Sequence, residues 1–571
     1  MMNSTWQPGR RAGIFACAVA AGLCAGPALA DDMTDAGAQQ LEQQVRDWLA
    51  GLLGPGVDPG ARPLHIAADG DHYRLEIPFA GPIGTTGATI AGDPVSAKLT
   101  PLEGGRWALD DIRIPSPLHV SYPAPGAGKD GADVTRELTT TVESQDQHAV
   151  LDPSLTSGSH WDGTLRGYSS SVVGLAGADR ATTRIEDMRF HFAWEPGADG
   201  LLNVVQETDS HMLSSTSQTG DADQATLSIE RMHAVVKLDR LAPDHLATIM
   251  HAAMRLMPLG VAAAQQHAGG DTAALAALLA ANRSAADADK RAEAADKKAV
   301  AEGRMTAETR KKNADARHAR AQARMEAIKA ARTAAATPEL SPEDKTAAHE
   351  GLVALADLLG GFDEQGTMEN VRFGAAGHSG HLDKLALGLG VGAPDGRTTI
   401  RFALGLDGID SEEIPPGVYR DYVPRHTSLA LHLGGVPAAD LRALLLRAGD
   451  SEGKDPHLQE AALALLAKGP LVLGLDSLAF DFGPATLQGK GEFRVRAEDD
   501  YDGDAHIVAT GLDDLIKQAN TVPELKQGAP VLLMLKGLGQ QDGATTVWDV
   551  TYKDGKVLVN GTDLGDMLPG K

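Results

Sequence analysis

Four clusters in this 571-residue chain have residue types that chemistry could use. Asp500, Asp502 and Asp504 alternate like the first ligands of a calcium loop, but Ala505 stands where the loop turn needs glycine and no Glu fills the twelfth position. A hairpin tip with room for a weakly held cation is what this spacing leaves. His378 and His381 could approach one another near a strand start, yet no carboxylate sits at useful spacing on a helix to complete a zinc site. Ser451-Glu452-Gly453-Lys454 has the S-x-x-K spacing of one class of serine enzymes, but the chain has no Lys-Thr-Gly partner. Gly483 to Lys490 suggests a phosphate-binding loop. Five residues rather than four separate Gly483 from Gly489, however, and Gly491 stands where Ser or Thr must reach magnesium. No G-x-S-x-G elbow is present. The sequence therefore points to no catalytic residue, no cofactor and no metal site.

Both cysteines, Cys17 and Cys24, fall within residues 1–30, which read as a signal peptide. Arg10 and Arg11 form the basic start, Ala12 to Gly26 the apolar stretch, and Ala28-Leu29-Ala30 a small-residue cleavage site before Asp31. Cleavage after Ala30 leaves a mature chain without thiols, and that removes cysteine catalysis and disulfides together. An uncleaved anchor is the alternative, with an apolar stretch short for a membrane span. Leu23 before Cys24 argues against lipidation.

The formal charge is −25. Residues Arg283 to Arg332 carry 14 basic against 8 acidic residues, a local +6 that leaves −31 elsewhere. The acidic bulk excludes nucleic acid as a natural partner. The basic segment is rich in Ala, Arg, Lys and Glu, all strong helix formers. It predicts either one helix of about 75 Å or, with Gly303 as a stop and Thr306 as a cap, a helical hairpin.

The strongest internal regularity is a signature of an apolar residue, an acidic residue, any residue and an alternating apolar pair. It occurs six times, starting at Leu109, Ile185, Ile229, Met368, Leu382 and Leu475, with Glu186, Glu230, Asp383 and Asp476 among the acids. Around Asp476 the apolar residues run Leu471, Leu473, Leu475 and then Leu478, Phe480 and Phe482, so a period of two shifts phase by one. In a regular strand that shift sends half of the set to the other face. Each signature therefore predicts a β-bulge, whose extra residue returns the apolar side chains to one face.

These patterns sum to an α+β fold: a β-rich, curved or rolled, largely antiparallel sheet with short packing helices and a long charged helical insertion. After the signal come an amphipathic helix within 31–60, a β-rich half over 61–240, a helical insertion over 241–362 and a second β-rich half with short helices over 363–571. Leu41, Val45, Trp48, Leu49 and Leu52 share one face of the first helix. Asp69-Gly70 is a hairpin turn between Leu64, Ile66 and the run Tyr73, Leu75, Ile77. Ser341-Pro342-Glu343-Asp344 is a helix start.

The passages Lys237-Leu238-Asp239-Arg240-Leu241, His432-Leu433-Gly434-Gly435-Val436 and Ala509-Thr510-Gly511-Leu512-Asp513-Asp514-Leu515, with the closing Asp554 to Gly561, resemble the YdgA-like bacterial envelope proteins of unknown function. More distantly they are similar to AsmA-like proteins. The resemblance covers roughly Thr182 to Leu246 and Gly366 to Leu564. It implies a periplasmic β-rich body and, for the AsmA-like relatives, a role in envelope lipid homeostasis.

The expected function is a non-enzymatic periplasmic protein that binds or scaffolds a lipid, an amphiphile or an envelope polypeptide on its sheet. The expected ligand-facing strip is Met188, Phe190, Phe192 and Trp194 with Leu478, Phe480 and Phe482; read structurally, the first four are one layer of core. The alternatives are an envelope hydrolase with a dispersed site, or an adaptor that meets a partner or a membrane surface through residues 283–332.

Overall fold

The computed structural model describes residues 33 to 563 apart from 54–63, 125–133, 253–284, 335–341 and shorter stretches, mostly within loops. The expected signal, Ser451 to Lys454, and most of the first half of the helical segment lie outside the described residues.

Every described strand joins one antiparallel sheet. The first nine strands are short: β1 (His65–Asp69), β2 (His72–Ile77), β3 (Gly81–Ile83), β4 (Ala88–Gly92), β5 (Val95–Pro101), β6 (Trp107–Arg113), β7 (Leu118–Ala124), β8 (Val134–Thr141) and β9 (Ser144–Leu151). They act as long strands broken midway, since β5, β6 and β9 pair in one row while β4, β7 and β8 pair in another. Pro115 and Pro117 mark one break, where the missing N–H groups cannot enter the ladder. Long unbroken strands follow: β10 (Ser159–Leu175), β11 (Ala178–Pro196), β12 (Leu202–Gln218), β13 (Ala225–Leu241), β14 (Gly361–Ala375), β15 (His378–Gly392), β16 (Arg397–Ser411) and β17 (His426–Pro437). Then come β18 (Leu471–Asp481), β19 (Thr486–Ala497), β20 (Asp500–Thr510), β21 (Gln540–Asp542), β22 (Thr545–Lys553), β23 (Lys556–Val559) and β24 (Thr562–Asp563). From β10 to β20 each strand pairs with the next in sequence, mostly through short turns, with helices between β13 and β14 and between β17 and β18. β13 pairs directly with β14, so the sheet continues without a gap across the helical segment between them.

The helices are α1 (Asp35–Leu53), α2 (Ala307–Ala334), α3 (Pro342–Asp357), α4 (Ala438–Asp450), α5 (Leu458–Leu466), α6 (Leu512–Thr521) and α7 (Ala529–Leu538). A helical run over 288–300 precedes α2. The chain turns between them at Gly303, whose φ is +68°, and the Thr306 hydroxyl accepts the Thr309 N–H at 3.2 Å. Arg317 donates to Asp296 and Arg324 to Asp289, each at 2.7 Å, joining the two as a hairpin rather than one rod.

The six signatures divide in two. In the first and last, one strand carries an extra residue: the register of β5 on β6 shifts near Asp111, and that of β18 on both neighbours shifts around Asp476. The middle four show no shift, which corrects the expectation of one-sided bulges there. Instead every strand carries its irregular residue at one level. Glu143, Gly167, Glu186, Met212, Glu230, Asn370, Asp383 and Gly408 face one another strand by strand. Those on alternate strands, Gly167, Met212, Asn370 and Gly408, have φ between 52° and 63°. With one irregular residue on each side, the pairing stays in step while both strands change phase together. The buried pairs Leu165 and Tyr168, Ile185 and Met188, and Met368 and Val371 are accordingly three residues apart, not two.

Candidate functional site: the apolar face of the sheet

Residues directly opposite in an antiparallel pair share a face, and this places the two sequence-predicted strips together. Phe190, Thr208, Ala234, Gly366, Leu387, Leu404, Leu429 and Leu478 stand opposite one another in turn. One row over, Met188 leads by the same steps through Ser210, Met232, Met368, Leu385, Leu406 and Thr427 to Phe480. Residues from β11 and β18, nearly 300 positions apart in sequence, therefore belong to one surface. Phe482 lies just past β18 and stacks on Phe480 with ring centroids 5.8 Å apart.

That surface is covered at its two ends and open between them. At the first end Ala38, Leu41 and Val45 of α1 join a core with Tyr73, Trp107, Trp161 and Trp194, against which Phe190 and Phe192 pack. Met188 belongs to a second core with Leu165, Tyr168 and Ile185. Glu42 of α1 also accepts the Ile66 N–H at 3.3 Å, satisfying a donor on the edge strand β1. At the other end α6 and α7 pack on Ile507, Ala509 and Trp548. In the middle Ile229, Met368 and Val371 form a small core with Leu227, Leu382 and Leu385 around it. Beyond it Leu387, Leu389, Phe402, Leu433 and Leu473 are 40–50% exposed.

The opposite face is polar. Its cross-strand pairs include His191 with Asp162 and His432 with Asp476, each at 2.7 Å, and His506 with Asp549 at 2.6 Å. The Arg231 guanidinium donates to Asp209 at 2.7 Å and holds that carboxyl below the ordinary carboxylate range. Contacts of this kind fix register more than they stabilise.

The clusters with chemical residue types stay apart. His378 and His381 are three apart in β15, so their side chains leave opposite faces. Among the described residues no group of three or more His, Cys, Asp or Glu is disposed to hold a metal. Asp500 and Asp502 are paired with Arg496 and Arg494. Gly483 leads into β19 and not into the helix a phosphate loop requires. A shallow cavity of about 530 Å³ at the far end of β12 to β16 is lined by Arg372, Phe373, His381, Asp410 and Arg420 among others. There Arg420 pairs with Asp410 at 3.3 Å and Ser411 donates to the Ser379 carbonyl at 3.1 Å.

Sequence reasoning missed the open middle of the face. Its signal was present in the alternation of Leu385, Leu387, Leu389 and Val391 and of Phe402, Leu404 and Leu406, which matches the predicted strips in period but not in aromatic content. No helix among the described residues is long and apolar enough to cross a membrane.

Residues 367–567 match a family described as an uncharacterized protein conserved in bacteria, DUF2125. This stretch begins in β14 and takes in the exposed rows and both covering helices α6 and α7. No curated protein matches the chain significantly, and neither does any solved structure.

Proposed function

We propose that this protein works in the bacterial periplasm as a non-enzymatic carrier or scaffold that holds the acyl part of an amphiphile on the open stretch of its apolar face. One observation carries the reading. Of the 15 large apolar side chains exposed among the described residues, seven lie on the apolar face of β14 to β18: five (Leu387, Leu389, Phe402, Leu433 and Leu473) stand together on the adjacent strands β15 to β18, and Phe373 and Ile409 lie toward the other end of the strands. Exposed apolar side chains scattered singly need no explanation, whereas a contiguous patch marks a binding surface. At about 4.8 Å per strand the four strands that carry the contiguous group span roughly 14 Å, enough to hold much of an extended hydrocarbon chain. The secretory features of residues 1–30 and the resemblance to YdgA-like and AsmA-like envelope proteins support the same location and ligand class.

The test is native mass spectrometry of the chain purified from its own host, with organic extraction of what travels with it. An amphiphile in stoichiometric amount is expected. The double variant Leu389→Glu, Phe402→Glu should retain at least tenfold less of it at an unchanged melting temperature. A wild-type chain with a clean apo mass would refute the reading.

A further inference from the structure

We propose that the trough at the far end of β12 to β16 binds the phosphate ester of a polyol, on the opposite face of the sheet from the apolar surface described above. The pairing register places its walls. Ser214, Ser228, Arg372, His381 and Asp410 stand opposite one another in turn across β12 to β16. Arg372, His381 and Asp410 are sequence neighbours of the apolar-face residues Val371, Leu382 and Ile409, so their side chains leave the other side of the sheet. Two residues along, Thr216, Thr226 and Gly374 form a second row on that side, and Gly374 has no side chain to fill the space between the rows. Both rows line the cavity of about 530 Å³, a volume within the roughly 300–1,000 Å³ of small-molecule sites.

The distribution of charge selects the ligand. The chain has 77 acidic against 52 basic residues, and elsewhere on the sheet arginines meet carboxylates of the next strand, as Arg166 meets Asp187, Arg231 Asp209 and Arg494 Asp502. Arg372 has no such partner among the described residues. Its cross-strand neighbours are Ser228 and His381, and carboxylates around it are engaged: Glu230 accepts from Asn370 at 2.6 Å, Asp383 lies against Gly408, and Asp410 pairs with Arg420 at 3.3 Å. His381 has a buried Nε2 with no partner among the described residues, a group that in a native protein calls for one. A guanidinium fork amid the hydroxyls of Ser214, Thr216, Thr226 and Ser228 is a donor set for phosphate, whose oxygens accept several hydrogen bonds at once. At the β16 end the polarity reverses. Asp410 and Glu412 present carboxylate oxygens, which accept from ligand hydroxyls and repel a second anion. Donors at one end and acceptors at the other fit a phosphate joined to a hydroxylated carbon chain, as in glycerol phosphate, whether free or as a lipid headgroup.

Titration calorimetry of the full chain with sn-glycerol 3-phosphate, dihexanoyl phosphatidylglycerol and inorganic phosphate tests this. At least one of the two esters is expected to bind more tightly than inorganic phosphate; sn-glycerol 3-phosphate alone marks a free ester as the ligand, and the lipid alone, or the lipid bound more tightly, marks a headgroup. Arg372→Ala should weaken that binding about tenfold or more at an unchanged melting temperature. Glu412→Ala should lower the preference for the ester over inorganic phosphate. Should Arg372→Ala fail to fold by circular dichroism, Arg372→Lys is used in its place, since it keeps the charge but loses the fork and should still weaken binding. A wild-type chain that binds neither ester at millimolar concentration, an Arg372 variant that binds as wild type, or a preference unchanged in Glu412→Ala would each overturn the proposal. So would lipid binding that is lost in Leu389→Glu with Phe402→Glu and kept in the Arg372 variant, because the apolar face and not the trough would then hold the lipid.

Discussion

Gly408→Ala probes the line of irregular residues that crosses the sheet. Gly408 has a φ of +63°, and a Cβ there would overlap the Asp383 carboxylate on the neighbouring strand. Two costs add. A side chain in left-handed backbone costs about 1–2 kcal/mol. Asp383 must also leave its rotamer, about 0.5–1.5 kcal/mol; being 60% exposed, it can swing into water without stranding a buried charge. The total is roughly 2–3 kcal/mol. Gly70 separates the terms, because its φ is +69° and nothing lies within 4 Å of the position its Cβ would take. Gly70→Ala should therefore show only the backbone cost, and Gly408→Ala should exceed it by about 1 kcal/mol. Adding Asp383→Ala to Gly408→Ala should recover part of the excess, because it removes the carboxylate but leaves the Cβ of residue 383, 2.7 Å from the added carbon. Urea unfolding compares the three, with amide exchange over residues 381–385 and 405–409 reporting whether the loss is local. Equal effects of Gly70→Ala and Gly408→Ala, or no recovery in the double variant, would refute the claim that the carboxylate lies over the glycine.

Two further outcomes follow from the packing. Leu41 is 1% exposed between α1 and the sheet, so Leu41→Ala should cost about 2–5 kcal/mol in urea unfolding; a loss below 0.5 kcal/mol, by order of magnitude, would mean that α1 is not docked as described. Asp209 is held below the usual carboxylate range chiefly by its hydrogen bond from Arg231. Its contribution to stability is thus present above the unfolded value of about 3.9 and lost as pH falls through the lower folded value. Arg231→Ala should flatten that acid limb of a stability-versus-pH curve, and an unchanged limb would place the effect elsewhere.

Much of the architecture was legible because local chemistry and fold agree. Asp69-Gly70 is the turn between β1 and β2, Gly303 and Thr306 separate the two helical pieces, and Pro342 begins α3. What could not be read was which strands meet. Period two assigns Phe190 and Leu478 each to an inward side, but only the pairing register puts them in one row, and register depends on turn geometry far away in sequence. That Met188 and Trp194 form a layer of core was legible, but their partners were not: Trp194 packs in one cluster with α1, about 150 residues upstream, and Met188 in another with Leu165, Tyr168 and Ile185. The patch over β14 to β18 escaped notice for a related reason: its leucines look like ordinary core, and only the placement of the covering helices at the two ends leaves them exposed.

The repeat with which the sequence is marked then has a physical purpose. Strands of 15 to 19 residues are long enough that a single uncorrected phase shift would divide each of them into an apolar-inward part and an apolar-outward part. Because Glu186, Met212, Glu230, Asn370, Asp383 and Gly408 sit at one level, all strands shift at once and the ladder is not dislocated. Were Asn370 or Asp383 deleted, Phe373 on β14 or Leu382 on β15 would fall on the side of Arg231 and Asp209, leaving an apolar group among cross-strand ion pairs. Keeping Ile229, Val371 and Leu382 continuous with Met232, Met368 and Leu385 is what joins two apolar patches into one face. The alternation of acidic and left-handed residues is thus the device by which this sheet carries a hydrophobic surface along the length of its strands, and a ligand on that surface would depend on it as directly as on the leucines it touches.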